Sequence, residues 1–221
     1  MTEPKLDLTG MLGARICHDL ISPVGAICNG LELLELSGTL DGPEKDLIES
    51  SAKNANARLQ FYRIAFGMAS GDRMLSPREI NQLLSGYTDT SSLSVHFESD
   101  APVSRSRAQL IFLTTLCLES ALARNGEIAI RKARNGWALT AQRDREIAPS
   151  DLLDRLVLNK SWPSDLTPRD VHFPLAAISL QASGYEFAAQ VDKAQINARL
   201  TAVEAEMDVS PELRRPHLLD T

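Results

Sequence analysis

Apolar side chains between Leu8 and Leu36 recur at helical spacing, with Ile16, Leu20, Val24, Ile27, Leu31 and Leu34 separated by steps of four, four, three, four and three. This pattern predicts one long helix with a single apolar seam. The following DGPE offers Asp41 or Gly42 as a cap and places Pro43 near the first helical position, where a missing amide donor does no harm. A second helix is predicted from there, because Ile48, Ala52, Ala55, Leu59, Tyr62, Phe66 and Ala69 alternate steps of four and three, the a/d spacing of a helical bundle. Two helices bury one narrow stripe each, and a second copy of the hairpin would complete a four-helix bundle. A homodimer is therefore expected.

Beyond the hairpin the period changes. SPREINQLL reads as a short helix, LSVHFES as a strand and SRAQLIFLTTLCLESALAR as a long buried helix. GEIAIRKA and GWALTAQR alternate as two strands joined at Asn135-Gly136, a hairpin turn signal. A helix from about Asp151 to Leu158 follows. PLAAISLQASG is a further helix closed by Gly184, and YEFAAQVD and AQINARLTA are the last strands.

Composition narrows the classes of function. The chain has 221 residues, 43% of them apolar, which is ordinary for a globular protein. A net charge of −6 without any basic block argues against a nucleic-acid surface, which would need clustered Lys and Arg. No apolar run reaches the roughly 18 residues of a spanning helix, and MTEPKLDL carries no apolar signal segment, so a cytoplasmic location away from membranes is expected. Cys17, Cys28 and Cys117 lack a C-x-x-C spacing and read as small buried apolar residues rather than zinc ligands or a disulfide framework. His96, His172 and His217 lie far from His18 without ligand-spaced partners, so no metal site is expected.

Within the first helix sits CHDLISPV, residues Cys17 to Val24. At about 100° per residue the apolar seam occupies one sector and His18 falls near the opposite side, facing water. Gly25 lies seven residues on, nearly on the same face, where a missing side chain leaves room for an approach to His18; Arg15 and Ser22 flank that face. The adjacent Asp19 can accept a hydrogen bond from one ring nitrogen and leave the other as nucleophile. A Cys17-His18 pair is disfavoured, because neighbours on a helix point about 100° apart. Pro23 should loosen the Asp19 carbonyl, at a cost of about 3 kcal/mol for a mid-helix proline. Antiparallel packing would bring Arg58, Tyr62 and Arg63 opposite His18 as docking candidates, although a solvated rim around a core tyrosine explains them equally well.

His-Asp followed by Ile-Ser-Pro on the first helix of a hairpin resembles the phosphoacceptor box of histidine kinases. CHDLISPVGAICNGLELLE is more specifically similar to the ChpT-type histidine phosphotransferases of alphaproteobacteria, and the segment order extends the likeness over nearly the entire chain. The resemblance implies an α+β protein: a helical hairpin over residues 1–72 forming a dimeric four-helix bundle, then an α/β sandwich over 73–203 like the kinase ATP-binding domain. A charged tail over 204–221 follows. It implies His18 as phosphoacceptor, with Asp19 orienting the ring and helping proton transfer.

A working kinase of that family would carry an asparagine on the long helix, a D-x-G-x-G segment and a glycine-rich loop. Here Glu119-Ser120-Ala121 stands at the first, QRDREIAPS at the second, and no glycine lies between Gly136 and Gly184. Phosphate cradles rely on backbone amides that side chains would obstruct. No nucleotide or other cofactor is therefore expected on this chain. The resemblance implies a relay in which the receiver domain of a hybrid histidine kinase donates phosphate to His18 and response-regulator receivers accept it, with Mg2+ held by the receiver. A degenerate kinase with residual ATP binding and a non-catalytic dimeric adaptor remain as alternatives.

Overall fold

A computed structural model of the chain describes residues 6–37, 42–67 and 73–203. Asp41, Ala69 and the expected tail over 204–221 lie outside the described residues. The first helix, α1 (Leu8–Ser37), runs unbroken through Pro23, and α2 (Pro43–Ala65) returns along it. Pro43 opens α2 with Glu44 and Asp46 in its first turn, where carboxylates suit the positive end of the helix.

The remaining elements are β1 (Met74–Leu75), α3 (Pro77–Thr88), β2 (Ser92–Glu98), β3 (Val103–Ser104), α4 (Arg105–Ala121), β4 (Asn125–Ala133), β5 (Gly136–Gln142), α5 (Asp151–Val157), α6 (His172–Ser183), β6 (Tyr185–Asp192) and β7 (Gln195–Ala202). The main sheet has the order β2-β4-β5-β7-β6; β2 runs parallel to β4 and the other pairs are antiparallel. β1 and β3 form a separate antiparallel pair. The α+β class that the resemblance implies therefore holds, and every longer element lies where the periodicity put it.

Each strand alternates as its sequence does. Leu93, Val95 and Phe97 of β2, with Ile128 and Ile130 of β4, face the helices, while the intervening residues face outward. The α4 sequence is apolar on nearly all sides, and the helix is correspondingly buried, packed against α2 on one flank and α6 on another. The β4–β5 loop is Arg134-Asn135, one residue earlier than the turn signal suggested. Gly136 instead opens β5 at φ 140°, where a Cβ would run into the Leu200 carbonyl. Gly184 ends α6 in the left-handed conformation, as expected.

The hairpin is anchored at one end. Phe61 of α2 is fully buried and stacks on Tyr87 of α3 at 4.0 Å and Phe112 of α4 at 4.8 Å, so the foot of the hairpin shares one core with the sheet and its helices. The seam itself is half open, with Val24, Leu31 and Leu59 exposed at 49%, 50% and 50%. Cys117 is buried as expected, whereas Cys17 and Cys28 are exposed: both sit on the outward arc of α1, which none of the described residues covers. Among the described residues no helix is long and apolar enough to cross a membrane.

Candidate functional site

Helix α1 presents His18 to solvent with its side chain 57% exposed, while its neighbour Asp19 is 5% exposed. The helical step between adjacent residues separates them in this way, one outward and one inward, yet His18 Nδ1 still reaches Asp19 Oδ1 at 3.1 Å. The other carboxylate oxygen faces the interior. Asp19 Oδ2 accepts from Arg15 Nε at 2.6 Å, one helical turn earlier, and from the Tyr62 hydroxyl of α2.

A second arginine completes the site from the far end of the chain. Arg169 lies in a single 3-10 turn, Pro168–Asp170, directly before α6. Its Nη2 is 3.0 Å from His18 Nε2, and its backbone carbonyl accepts from Arg15 Nη1. Thr167 closes the turn by donating from Oγ1 to Asp170 Oδ2 at 2.5 Å, and Pro168 presets its first residue.

These contacts define the imidazole. A guanidinium carries donors and no acceptor, so Nε2 of His18 must present its lone pair to Arg169, and Nδ1 is then the N–H that donates to Asp19. One ring proton, one lone pair on Nε2 and one orientation result. Burial opposes charge on Asp19, but the Tyr62 hydroxyl, the Arg15 guanidinium and the His18 N–H outweigh it and hold the carboxyl down to about 2. Tyr62 is pushed up to about 12 by its burial and by Asp19. Burial likewise opposes charge on Arg15, and Asp19 more than compensates, leaving its value raised.

The residues singled out in the sequence divide. His18 is exposed and Asp19 orients it. Ser22 is exposed, and a Cβ added at Gly25 would meet open space, so no described residue crowds the face at Gly25. Arg15 corrects the expectation of a docking residue: it is 3% exposed, because Asp19 one turn on and the Arg169 carbonyl draw its guanidinium inward. Arg58 is engaged with Asn54 at 2.8 Å and lies 5.7 Å from the centroid of the Tyr87 ring rather than on His18, and Arg63 is exposed. Tyr62 is both core and site, 3% exposed and hydrogen-bonded to Asp19. Arg169 escaped the periodicity, since three residues carry no period. Thr-Pro-Arg-Asp, with a capping residue, proline and acid in order, was the available signal.

Behind the site lies a layer of internal polar bonds. Tyr87 donates to Glu119 Oε2 at 3.0 Å, and Ser120 Oγ is 3.1 Å from His172 Nε2. Burial raises the Glu119 carboxyl; burial and then Arg15 bring His172 down to about 3. Glu119 and Ser120 thus spend their polar atoms inside the core. Among the described residues no group of three or more His, Cys, Asp or Glu side chains is placed to hold a metal ion.

Comparison with known proteins places the chain in a family. The protein phosphotransferase ChpT of Brucella abortus (strain 2308) is 41% identical over 133 residues, covering 59% of this chain and 63% of the relative, so the match spans less than two thirds of the curated protein. A solved structure of a bacterial phosphotransferase superposes with a TM-score of 0.74 at 28% identity, covering 90% of this chain and 98% of the other. The family model for the histidine phosphotransferase C-terminal domain matches residues 77–195, more than half of the chain. The chain belongs to the histidine phosphotransferase family that this domain defines.

Proposed function

We propose that this protein is a phosphorelay intermediate that takes a phosphoryl group from the aspartate of one receiver domain onto His18 and passes it to the aspartate of another. The observation that carries the reading is the state of His18: a solvent-exposed ring whose Nε2 bears an unprotonated lone pair toward Arg169 and whose Nδ1–H is held by Asp19. The likeness to ChpT and to a bacterial phosphotransferase supports it.

Transfer proceeds by in-line attack. The Nε2 lone pair forms the N–P bond as the P–O bond of the aspartyl phosphate breaks, and the electron pair leaves with the aspartate carboxylate. Nε2 carries no proton, so none has to be removed. Asp19, held charged at about 2, keeps the Nδ1 proton in place and balances the positive ring, a role of orientation rather than of proton uptake. Positioning is the main contribution of the chain, and charge neutralisation at phosphorus falls to Mg2+ on the receiver.

The donor is the receiver of a hybrid histidine kinase and the acceptors are response-regulator receivers, docking over Ser22 and Gly25. The working unit is a homodimer, supported by the half-open seam at Val24, Leu31 and Leu59 and by Ile21, 70% exposed beside it. Residues 73–203 serve as a scaffold without nucleotide. Two features support this: the glycine-free stretch from Trp137 to Ser183, and the burial of Glu119 against Tyr87 where a magnesium ligand would be sought.

The test is two-step transfer. A receiver domain charged with acetyl phosphate, freed of the reagent and mixed with the protein, should deliver acid-labile phosphate to it and then to a second, uncharged receiver. His18→Ala should remove both steps; transfer that survives His18→Ala contradicts the proposal.

A further inference from the structure

We infer that Arg169 acts on the reacting atom itself: its guanidinium covers Nε2 of His18 in the free protein and pairs with the phosphoryl group once that group is bonded to the same nitrogen. The second half rests on the phosphotransfer reading; the first stands on geometry alone.

The turn that carries Arg169 is built to hold it there. Pro168 and the Thr167–Asp170 bond shape the turn, and the Arg169 carbonyl is fixed by the buried guanidinium of Arg15, which also holds Asp19. One buried cation thus sets both partners of the imidazole, Asp19 on the Nδ1 side and the Arg169 backbone on the Nε2 side. The side chain of Arg169 is itself exposed, so its head group can shift by the length of an N–P bond without disturbing the anchored turn.

The chemistry on the two sides of transfer differs in one respect. Before transfer, Arg169 donates one hydrogen bond to a neutral lone pair. After the N–P bond has formed and the aspartate has left with its electron pair, three anionic oxygens stand where the guanidinium was. A planar fork of donors matches such a group far better than it matches a single nitrogen, and charge-assisted bonds are the stronger kind. Arg169 therefore favours the phosphorylated state.

Two measurements on the full-length chain separate the halves. In the unphosphorylated protein the 15N resonance of His18 Nε2 should move toward that of an unbonded imidazole nitrogen in Arg169→Gln and Arg169→Ala, and less in Arg169→Lys. An unchanged resonance in all three overturns the resting contact. After charging with phosphoramidate, which needs no receiver, the lifetime of the phosphohistidine followed by 31P NMR should shorten about tenfold in Arg169→Gln, the scale of one charge-assisted hydrogen bond, and recover in part in Arg169→Lys. An equal lifetime in the unaltered protein and Arg169→Gln overturns the clamp while leaving phosphotransfer intact. If receivers deliver no phosphate to the unaltered protein, the relay reading fails, and the 15N measurement still decides the contact.

Discussion

Tyr62 and Asp19 lie 43 residues apart and share a hydrogen bond, from the phenol to Oδ2, that ties the foot of α2 to the carboxylate orienting His18. The hairpin contact thereby reaches the proposed site. Tyr62→Phe removes this donor and leaves the ring packing against Phe66 and Tyr87 in place. The expected result is a loss of about 1 kcal/mol in denaturant unfolding, and transfer to His18 slowed severalfold as the carboxylate loosens.

Arg15 is a buried cation with two acceptors, so its removal should cost far more than that of a surface arginine. Arg15→Met leaves Asp19 buried without its cation, with only Tyr62 and His18 as partners, and frees the Arg169 carbonyl, and a loss of about 3–5 kcal/mol is expected from urea titration. Arg15→Lys should recover part of it, because an ammonium cannot reproduce the planar fork. A change below about 0.5 kcal/mol, the range of ordinary surface substitutions, would contradict the burial of this side chain.

The contrast between Arg15 and Arg169 also shows what was legible in the sequence. Long elements announced themselves: the four-and-three spacing of α1 and α2, the alternation in β2, β4 and β5, and the glycine that ends α6. His18 followed from the angle between it and the seam, because exposure on a helix is a matter of arithmetic. The state of an arginine is not. Arg15 lies next to the water-facing arc by angle, yet a carboxylate one turn on and a carbonyl from a distant turn draw it inside, and only the tertiary fold supplies that carbonyl. Tyr62 sat on the seam and so read as core, which it is, but its hydroxyl has a separate partner. Arg169 belonged to a three-residue turn between elements, and its meeting with His18 depends on how residues 167–172 pack across α1.

Gly25 offers a prediction in which stability and activity move apart. A Cβ there meets nothing, so Gly25→Ala should stabilise α1 by about 0.5–1 kcal/mol through its helix propensity, read as a rise in melting temperature. Gly25→Phe should keep the fold and slow phosphate uptake from a receiver at least tenfold by filling the approach to His18, an order-of-magnitude figure for misplacing the reacting groups. Uptake at the unaltered rate in Gly25→Phe would remove this face from the docking surface.

His172 sets the sign of one part of the pH dependence. In the unfolded chain an imidazole takes its proton near 6.5, whereas the buried ring resists until about 3, with Arg15 and Arg124 opposing its charge and Asp19 and the Arg169 backbone favouring it. Between those values the unfolded chain binds more protons, so stability is lost as the pH falls from about 6.5 toward 3. His172→Gln keeps a polar partner for Ser120 and cannot titrate. Its urea midpoint should therefore fall less between pH 7 and pH 5 than that of the unaltered protein, each compared with its own value at pH 7. Equal losses would place the acid sensitivity elsewhere.

The proposed relay has His18 take the phosphoryl group on Nε2. The direct measurement is a 31P–15N correlation on labelled protein charged by a receiver domain. One phosphorus coupled to Nε2 of His18, with Nδ1 still protonated, is the predicted result. Phosphorus on Nδ1, on His96, or on no histidine at all would contradict it.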